Sequence, residues 1–370
     1  MRLLLAGGGT AGHVNPLLAT AAEARRRDPD TAVHVLGVAT GLEADLVPAA
    51  GYDISFIPRA RLPRSPSVEW LSLPTHLMQA VRAAERALDQ FAPDVVVGFG
   101  GYVSTPAYRA AFRRGIPVVV HEANARPGLA NRYGARRAAV VALTFPSTAL
   151  AATRGRTVRT GLPLRAAVRR LVELRSSGQA ALARAEGARA LGLDPHLPTL
   201  LITGGSLGAL SLNQAASGAV AQLAAAGQVL HLTGKGKSEP VLAAVAAAGS
   251  PPTYHVREYL PEMEHALAAS DVVLSRAGAG TVSELGALGI PALYVPLPIG
   301  NGEQRLNAAD VVAAGGGLLV EDKELSPALL TSRLVPLLRD PQAARAMGRR
   351  AAAVTPSDGA ARLVDEIEAL

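Results

Sequence analysis

Leu3-Leu4-Leu5-Ala6-Gly7-Gly8-Gly9-Thr10-Ala11-Gly12-His13 stands at the head of the sequence, and Leu200-Leu201-Ile202-Thr203-Gly204-Gly205-Ser206-Leu207-Gly208 repeats its plan in the second half. Each is a short apolar run of the kind that forms a buried parallel strand, followed by a turn nearly free of side chains. A second pair recurs in the same order. Asp94-Val-Val-Val-Gly-Phe-Gly-Gly101 leads through a helical stretch to Gly115-Ile-Pro117, and Asp271-Val-Val-Leu-Ser-Arg-Ala-Gly278 leads likewise to Gly289-Ile-Pro291. Further strands are read at Val33–Val38, Val95–Val97 and Val118–Val120, with helices at Pro16–Arg27 and Leu77–Gln90. Strand and helix alternate, so each half is expected to be a doubly wound parallel sheet covered on both faces.

The expected division is 1–162, 163–340 and 341–370. The boundary falls at Thr160-Gly-Leu-Pro-Leu-Arg165, and the last helical stretch can pack on either domain. A length of 370 residues suits two cores better than one. Hydrophobic residues at 49% and charged residues at 18% describe a foldable globular chain. Cys is absent, which excludes disulfides, thiolate metal sites and Cys nucleophiles. The formal charge of +7 favours phosphates or anionic lipid. Nucleic acid is not expected, because the basic residues are scattered and no aromatic-rich binding strand accompanies them. Leu3–Leu5 is too short for a signal-peptide core, and glycines and amides interrupt the long uncharged stretch Pro195–Gly234, so no membrane span is expected.

The chemistry concentrates in the turns. Gly7-x-Gly9-x-x-Gly12 matches a dinucleotide fingerprint, but the next strand ends Leu36-Gly-Val-Ala39 without the carboxylate that would hold a ribose. What remains is a turn whose backbone amides can approach an anion. His13 follows at the crevice where open α/β sheets bind ligands; a lone His is usually structural, and this position favours function. Ser206 reads as a helix N-cap or a phosphate ligand. Arg276-Ala-Gly278-Ala279-Gly280-Thr281-Val282-Ser283-Glu284 is a third glycine turn, whose amides suit a diphosphate. Glu284, placed in the first turn of the following helix, either offsets the helix dipole or grips vicinal ribose hydroxyls. Asp28-Pro-Asp30 lies at the wrong end of the sheet for a metal site, and no metal or other cofactor is expected.

Gly8-Gly-Thr-Ala-Gly-His13, Gly98-Phe-Gly-Gly-Tyr-Val-Ser104, His121-Glu-Ala-Asn124, Gly204-Gly-Ser206 and Gly280-Thr-Val-Ser-Glu284, in that order, resemble the MurG family. These are the UDP-GlcNAc:lipid I N-acetylglucosaminyltransferases of the GT-B fold, in which two Rossmann-like domains face each other across a cleft. The resemblance covers nearly the whole chain. It implies an inverting transfer without metal, on a lipid-linked acceptor. The second domain would hold UDP-GlcNAc, with Ser206 and the amides around Gly280 and Thr281 at the phosphates, Ala279, Val282 and Ser283 among the substrate-binding residues, and Glu284 on the ribose. Leu260 would meet uracil through its backbone, Arg165 would lie at the nucleotide and Gln304 would hold the sugar. The first domain would bring Thr10, Ala11, Gly12, His13, Tyr102 and Asn124 towards the acceptor, lipid I, and the transferred sugar. His13 would be the base, with Glu122 as its rival.

Ala11, Leu207, Leu162 and Glu303 depart from the family's usual Gly, Gln, Asn and Gln. Other readings are another GT-B transferase with a diacylglycerol or aglycone acceptor, a sugar-nucleotide epimerase, a nicotinamide-dependent oxidoreductase and a non-catalytic binder. A lipid-linked acceptor would bring the enzyme to the cytoplasmic face of the cell membrane. Arg59, Arg61 and Arg64 beside Trp70, Leu71, Leu73, Leu77, Met78 and Arg82 form either a dock on an anionic membrane surface or a solvated loop before an ordinary helix.

Overall fold

The computed structural model describes residues 1–59 and 69–370, and the side chains outside 60–74. The chain divides into two compact units, 1–165 with 358–370, and 166–357. The first contains β1 (Arg2–Ala6), β2 (Ala32–Gly37), β3 (Asp53–Phe56), β4 (Val95–Gly98), β5 (Val118–Glu122), β6 (Val140–Leu143) and β7 (Arg156–Arg159). They form one sheet of order β3-β2-β1-β4-β5-β6-β7, parallel throughout. The second contains β8 (Thr199–Thr203), β9 (Gln228–Leu232), β10 (Tyr254–Arg257), β11 (Val272–Ser275), β12 (Ala292–Tyr294) and β13 (Gly317–Leu319). Its order is β10-β9-β8-β11-β12-β13, again parallel. The two orders are the same through six strands, so the repeat read in the sequence is a repeat of topology.

The apolar runs are continuous because helices cover both faces. Leu3 and Leu5 join the core beneath Leu17, whereas Leu4, between them, joins the opposite core with Val96 and Tyr108. All three are fully buried, and each such Leu contributes about 1.5–3 kcal/mol. The paired motifs share a polar contact as well. Asp94 accepts from the Arg2 amide at 2.7 Å and Asp271 from the Thr199 amide at 2.9 Å, so each carboxylate caps the start of a central strand.

Some boundaries differ from the sequence reading. The first helix is Ala11–Arg27 and contains Pro16. Proline is tolerated there because it forgoes a hydrogen bond only to the Gly12 carbonyl, at the exposed start of the helix. The long third helix of the first unit is Glu69–Phe91. Two helices, Ala166–Ser176 and Ala180–Leu191, open the second unit. Pro341–Val354 lies in the second unit, with Gly348 packed closely on Gly289. Gly359–Glu368 returns to the first, where Leu363, Val364 and Ile367 join the core of Leu3 and Leu5. There Arg27 donates to Asp365 at 2.6 Å and to Glu368 at 2.9 Å.

Candidate active site

In both sheets the strand order reverses beside the first strand, between β1 and β4 and between β8 and β11. The turns leaving the carboxyl ends of these strands define the crevice in which open α/β sheets bind ligands. In the first unit this edge carries Thr10, Ala11, Gly12 and His13 after β1, Tyr102 after β4, and Glu122 with Asn124 at the end of β5.

His13 is half-buried in the first turn of its helix. Its Nδ1 lies 3.0 Å from the Gly8 carbonyl oxygen and 3.2 Å from Thr10 Oγ1. A carbonyl can only accept, so Nδ1 carries a proton, and the tautomer this contact selects has its lone pair on Nε2. The chain passes closely over this ring. A Cβ at residue 101 would sit 2.7 Å from the Gly8 oxygen, and one at residue 100 would sit 3.2 Å from His13 Nε2. Gly101 also has φ +74°, where a side chain is strained. Ser104 fixes the crossing: its buried hydroxyl reaches the Ala6 carbonyl at 3.1 Å and accepts from the Gly100 amide at 3.1 Å.

Glu122 is held differently. Only 2% exposed, its carboxylate accepts from the Asn124 amide at 2.9 Å, the Gly128 amide at 3.0 Å and Asn131 Nδ2 at 2.9 Å. Three donors tie it to the loop that shapes Asn124. The Tyr102 hydroxyl donates to the Pro58 carbonyl, joining the loops after β4 and β3. His121, fully buried beside Glu122, is pushed down to about 4 by burial and stays neutral near pH 7.

In the second unit, the turn after β8 runs from Gly204 to Ala209, and the helix begins at Leu210 with Ala209 as its N-cap. Ser206 therefore caps nothing; it is exposed at the tip of the turn. The turn interlocks with the one after β9: Gly208 has φ +68°, and a Cβ there would lie 2.1 Å from the Thr233 oxygen. Behind it, Asn213 donates to the same Thr233 oxygen at 3.0 Å and accepts from His231, which accepts from the Tyr254 hydroxyl, both at 3.0 Å. Burial lowers His231 to about 4.

The turn after β11 is short, and the helix Ala279–Ala287 starts behind Gly278 with no side-chain cap and no acidic residue in its first turn. The amides of Ala279, Gly280 and Thr281 head that helix, a setting suited to an anion. Val282 already donates to the Gly278 carbonyl at 2.9 Å, and Ser283 is buried at 2% exposure. Glu284 is half-buried and one full turn in, beyond the first turn expected for it, so dipole compensation does not explain it. Gln304 accepts from the amides of Ala277 at 3.2 Å and Leu297 at 3.0 Å, binding two loops together and leaving its amide nitrogen as a donor. Arg276 is committed to Asp322, Ser211 and the Val295 and Pro296 carbonyls, so it braces the turn from behind. Leu260 is 9% exposed in the loop after β10. Arg165 is half-buried where the first unit's long segment ends.

Arg61 and Arg64 lie outside the described residues, as do the side chains of Trp70, Leu71 and Leu73. Met78 is 53% exposed and Arg82 is exposed. No helix among the described residues is long and apolar enough to cross a membrane.

The glycosyltransferase family 28 N-terminal domain matches residues 3–143 and the family's C-terminal domain matches residues 199–363. A UDP-N-acetylglucosamine–N-acetylmuramyl-(pentapeptide) pyrophosphoryl-undecaprenol N-acetylglucosamine transferase from a Nocardioides species is 51% identical, covering 98% of this chain and 96% of that protein. Its namesake from Streptomyces coelicolor is 49% identical over 95% and 93%. The crystal structure of Acinetobacter baumannii MurG superposes with a TM-score of 0.78 at 29% identity, covering 100% and 99%. A Neisseria meningitidis UDP-GlcNAc 2-epimerase, with a TM-score of 0.72 at 16% identity over both whole chains, shares the fold. Full-length kinship at this level, on a two-unit fold of matching topology, places the chain in glycosyltransferase family 28, among the MurG N-acetylglucosaminyltransferases.

Proposed function

We propose that the protein transfers N-acetylglucosamine from UDP-GlcNAc, with inversion, to the 4-hydroxyl of the N-acetylmuramyl group of an undecaprenyl-pyrophosphoryl acceptor, lipid I, giving the lipid II used for peptidoglycan. The observation that carries the mechanism is the 3.0 Å contact between His13 Nδ1 and the Gly8 carbonyl oxygen, which selects the Nδ1–H tautomer. With Nδ1–H bonded to Gly8, Nε2 presents a lone pair at the carboxyl edge of the first sheet, where it can take the acceptor proton. The acceptor oxygen attacks the anomeric carbon, the bond to the diphosphate breaks, and its electron pair leaves with UDP. Glu122, its oxygens already filled by three N–H donors, serves as a brace for the Asn124 loop, and Thr10, Ala11, Gly12, Tyr102 and Asn124 line the acceptor side.

On the second unit, the helix head at Ala279, Gly280 and Thr281, with Ser206, faces the diphosphate and steadies the charge that develops there. Val282 and Ser283 support that helix head from inside. Glu284 holds the ribose, Gln304 offers its amide nitrogen to the sugar, Arg165 meets the nucleotide, and the backbone at Leu260 meets uracil. Helix amides and Arg165 supply the positive charge, so no metal is required.

The decisive assay follows label from UDP-GlcNAc into a lipid I analogue. Label should appear in a β-linked disaccharide with release of UDP; transfer only to a diacylglycerol or aglycone, or epimerisation alone, would overturn the assignment. The lipid chain and the charge of +7 support work at an anionic membrane surface on the cytoplasmic face. Replacing Arg61, Arg64 and Trp70 together should reduce binding to anionic vesicles while sparing UDP affinity. Unchanged vesicle binding would move the dock elsewhere.

A further inference from the structure

One peptide group joins two ionisable side chains in the first unit. Its carbonyl, on Gly8, accepts from His13 Nδ1 at 3.0 Å, and its N–H, on Gly9, donates to Glu43 Oε2 at 2.9 Å. Glu43 is fully buried at the start of the short helix Glu43–Ala49. Its other oxygen accepts from the Val38 amide at 3.0 Å. The glycines make room for it: a Cβ on Gly8 or on Gly41 would lie 2.1 Å from a Glu43 oxygen. Among the described residues no cation is bonded to this carboxylate, and such a group is costly to bury merely to close a turn.

We infer that Glu43 is a positioning residue for His13, acting through the Gly8–Gly9 peptide as a carboxylate acts directly on the histidine of a hydrolytic triad. Amide resonance links the two ends of the peptide group. Negative charge at its N–H raises electron density on its oxygen, and hydrogen bonds in series strengthen one another. The Gly8 oxygen then holds His13 as the Nδ1–H tautomer and favours the ring after Nε2 has taken the acceptor proton. Glu43 takes no proton and touches no substrate. The same bond removes the Gly9 amide from any phosphate, so this part of the glycine turn serves the base. The inference rests on His13 being the base.

The test compares wild type, Glu43→Gln, His13→Ala and the double variant for turnover, pH profile and UDP affinity. Partners that orient a metal-bound imidazole from behind typically contribute about 10–100-fold, and an effect of the same size is expected here. Glu43→Gln should lower kcat by that factor, move the acid limb of kcat/KM towards lower pH and leave UDP affinity unchanged. In the His13→Ala background the same substitution should change kcat by less than about twofold, because its route of action is gone. A loss of equal size in both backgrounds, or no loss in the first, overturns the inference while the base assignment stands. Near-normal turnover of His13→Ala overturns the base assignment and this inference together. Nitrogen NMR of the wild-type imidazoles gives a check that needs no variant to fold: a dominant Nε2–H form of His13 would overturn it.

Discussion

The two halves share a strand order and an aspartate that caps the central strand, yet their glycine turns handle charge in opposite ways. In the first, four residues separate β1 from its helix, a buried carboxylate takes the Gly9 amide and an imidazole takes the Gly8 carbonyl. In the second, six residues separate β8 from its helix, and the turn is locked against the Thr233–Gly234 backbone. The helices after β1 and β11 both start with neither an acidic residue in the first turn nor a side-chain cap, so the contrast lies in the imidazole and carboxylate that occupy the turn after β1. A duplicated scaffold thus yields one edge suited to proton transfer and one suited to a diphosphate. The difference lies in what fills the turns, since the strands that position them are equivalent.

That contrast can be broken most sharply at His13. His13→Ala should lower kcat by about 10²–10⁴-fold with UDP affinity nearly intact; a parallel fall in UDP affinity would make His13 a nucleotide ligand. Matched glycine substitutions come next. Gly101→Ala should cost about 10–100-fold in turnover by displacing the Gly8 carbonyl and His13. Gly208→Ala, which would drive a methyl group into the Thr233 carbonyl, should instead weaken UDP binding. Similar kinetic defects from both would erase the proposed division of labour. Glu284→Ala should weaken UDP by about 10–150-fold, the equivalent of about 1.5–3 kcal/mol for a charged hydrogen bond; unchanged affinity would remove Glu284 from the ribose.

A smaller effect tests what the halves share. His121 in the first and His231 in the second are both pushed down to about 4 by burial. Between about pH 6.5 and 4 the unfolded chain binds protons that the folded chain refuses, so stability, complete above that window, falls as pH falls. Each histidine contributes a slope of up to about 1.4 kcal/mol per pH unit. Denaturant unfolding followed against pH should show a shallower acid loss for His231→Gln; an identical slope would mean that this histidine protonates without unfolding. The smallest effect expected is none: activity should persist in excess EDTA, and loss restored by magnesium or manganese would call for a metal.

The fold was legible because apolar runs and glycine turns are local signals that recur. Leu3–Ala6 and Leu200–Thr203 announce their strands by composition alone. The site was legible where backbone performs the chemistry, as at Gly280 and Thr281. It was less so where a side chain acts across the sequence. Glu43 lies beyond the end of β2, past the Leu36–Ala39 stretch that lacks a ribose-binding acid, and nothing local reveals that it turns inward to Gly9. Ser206 reads as a cap because serine before a helix usually is one; two further residues and Ala209 intervene. Gln304 and Tyr102 look like ligands by type, and only the packed loops show their hydrogen bonds to the backbone.

The return of the helix Gly359–Glu368 to the first unit sets an order of events during synthesis. The ribosome makes residues 1–165, then all of 166–357, before it makes the Leu363, Val364 and Ile367 that complete the first core. At about 5–20 residues per second, the earlier half waits roughly ten to forty seconds for the residues that cover its core beside Leu17, while the later half needs no residue beyond its own continuous stretch, 166–357. The half translated first is therefore the half finished last, and its unfinished surface is the one a chaperone would meet.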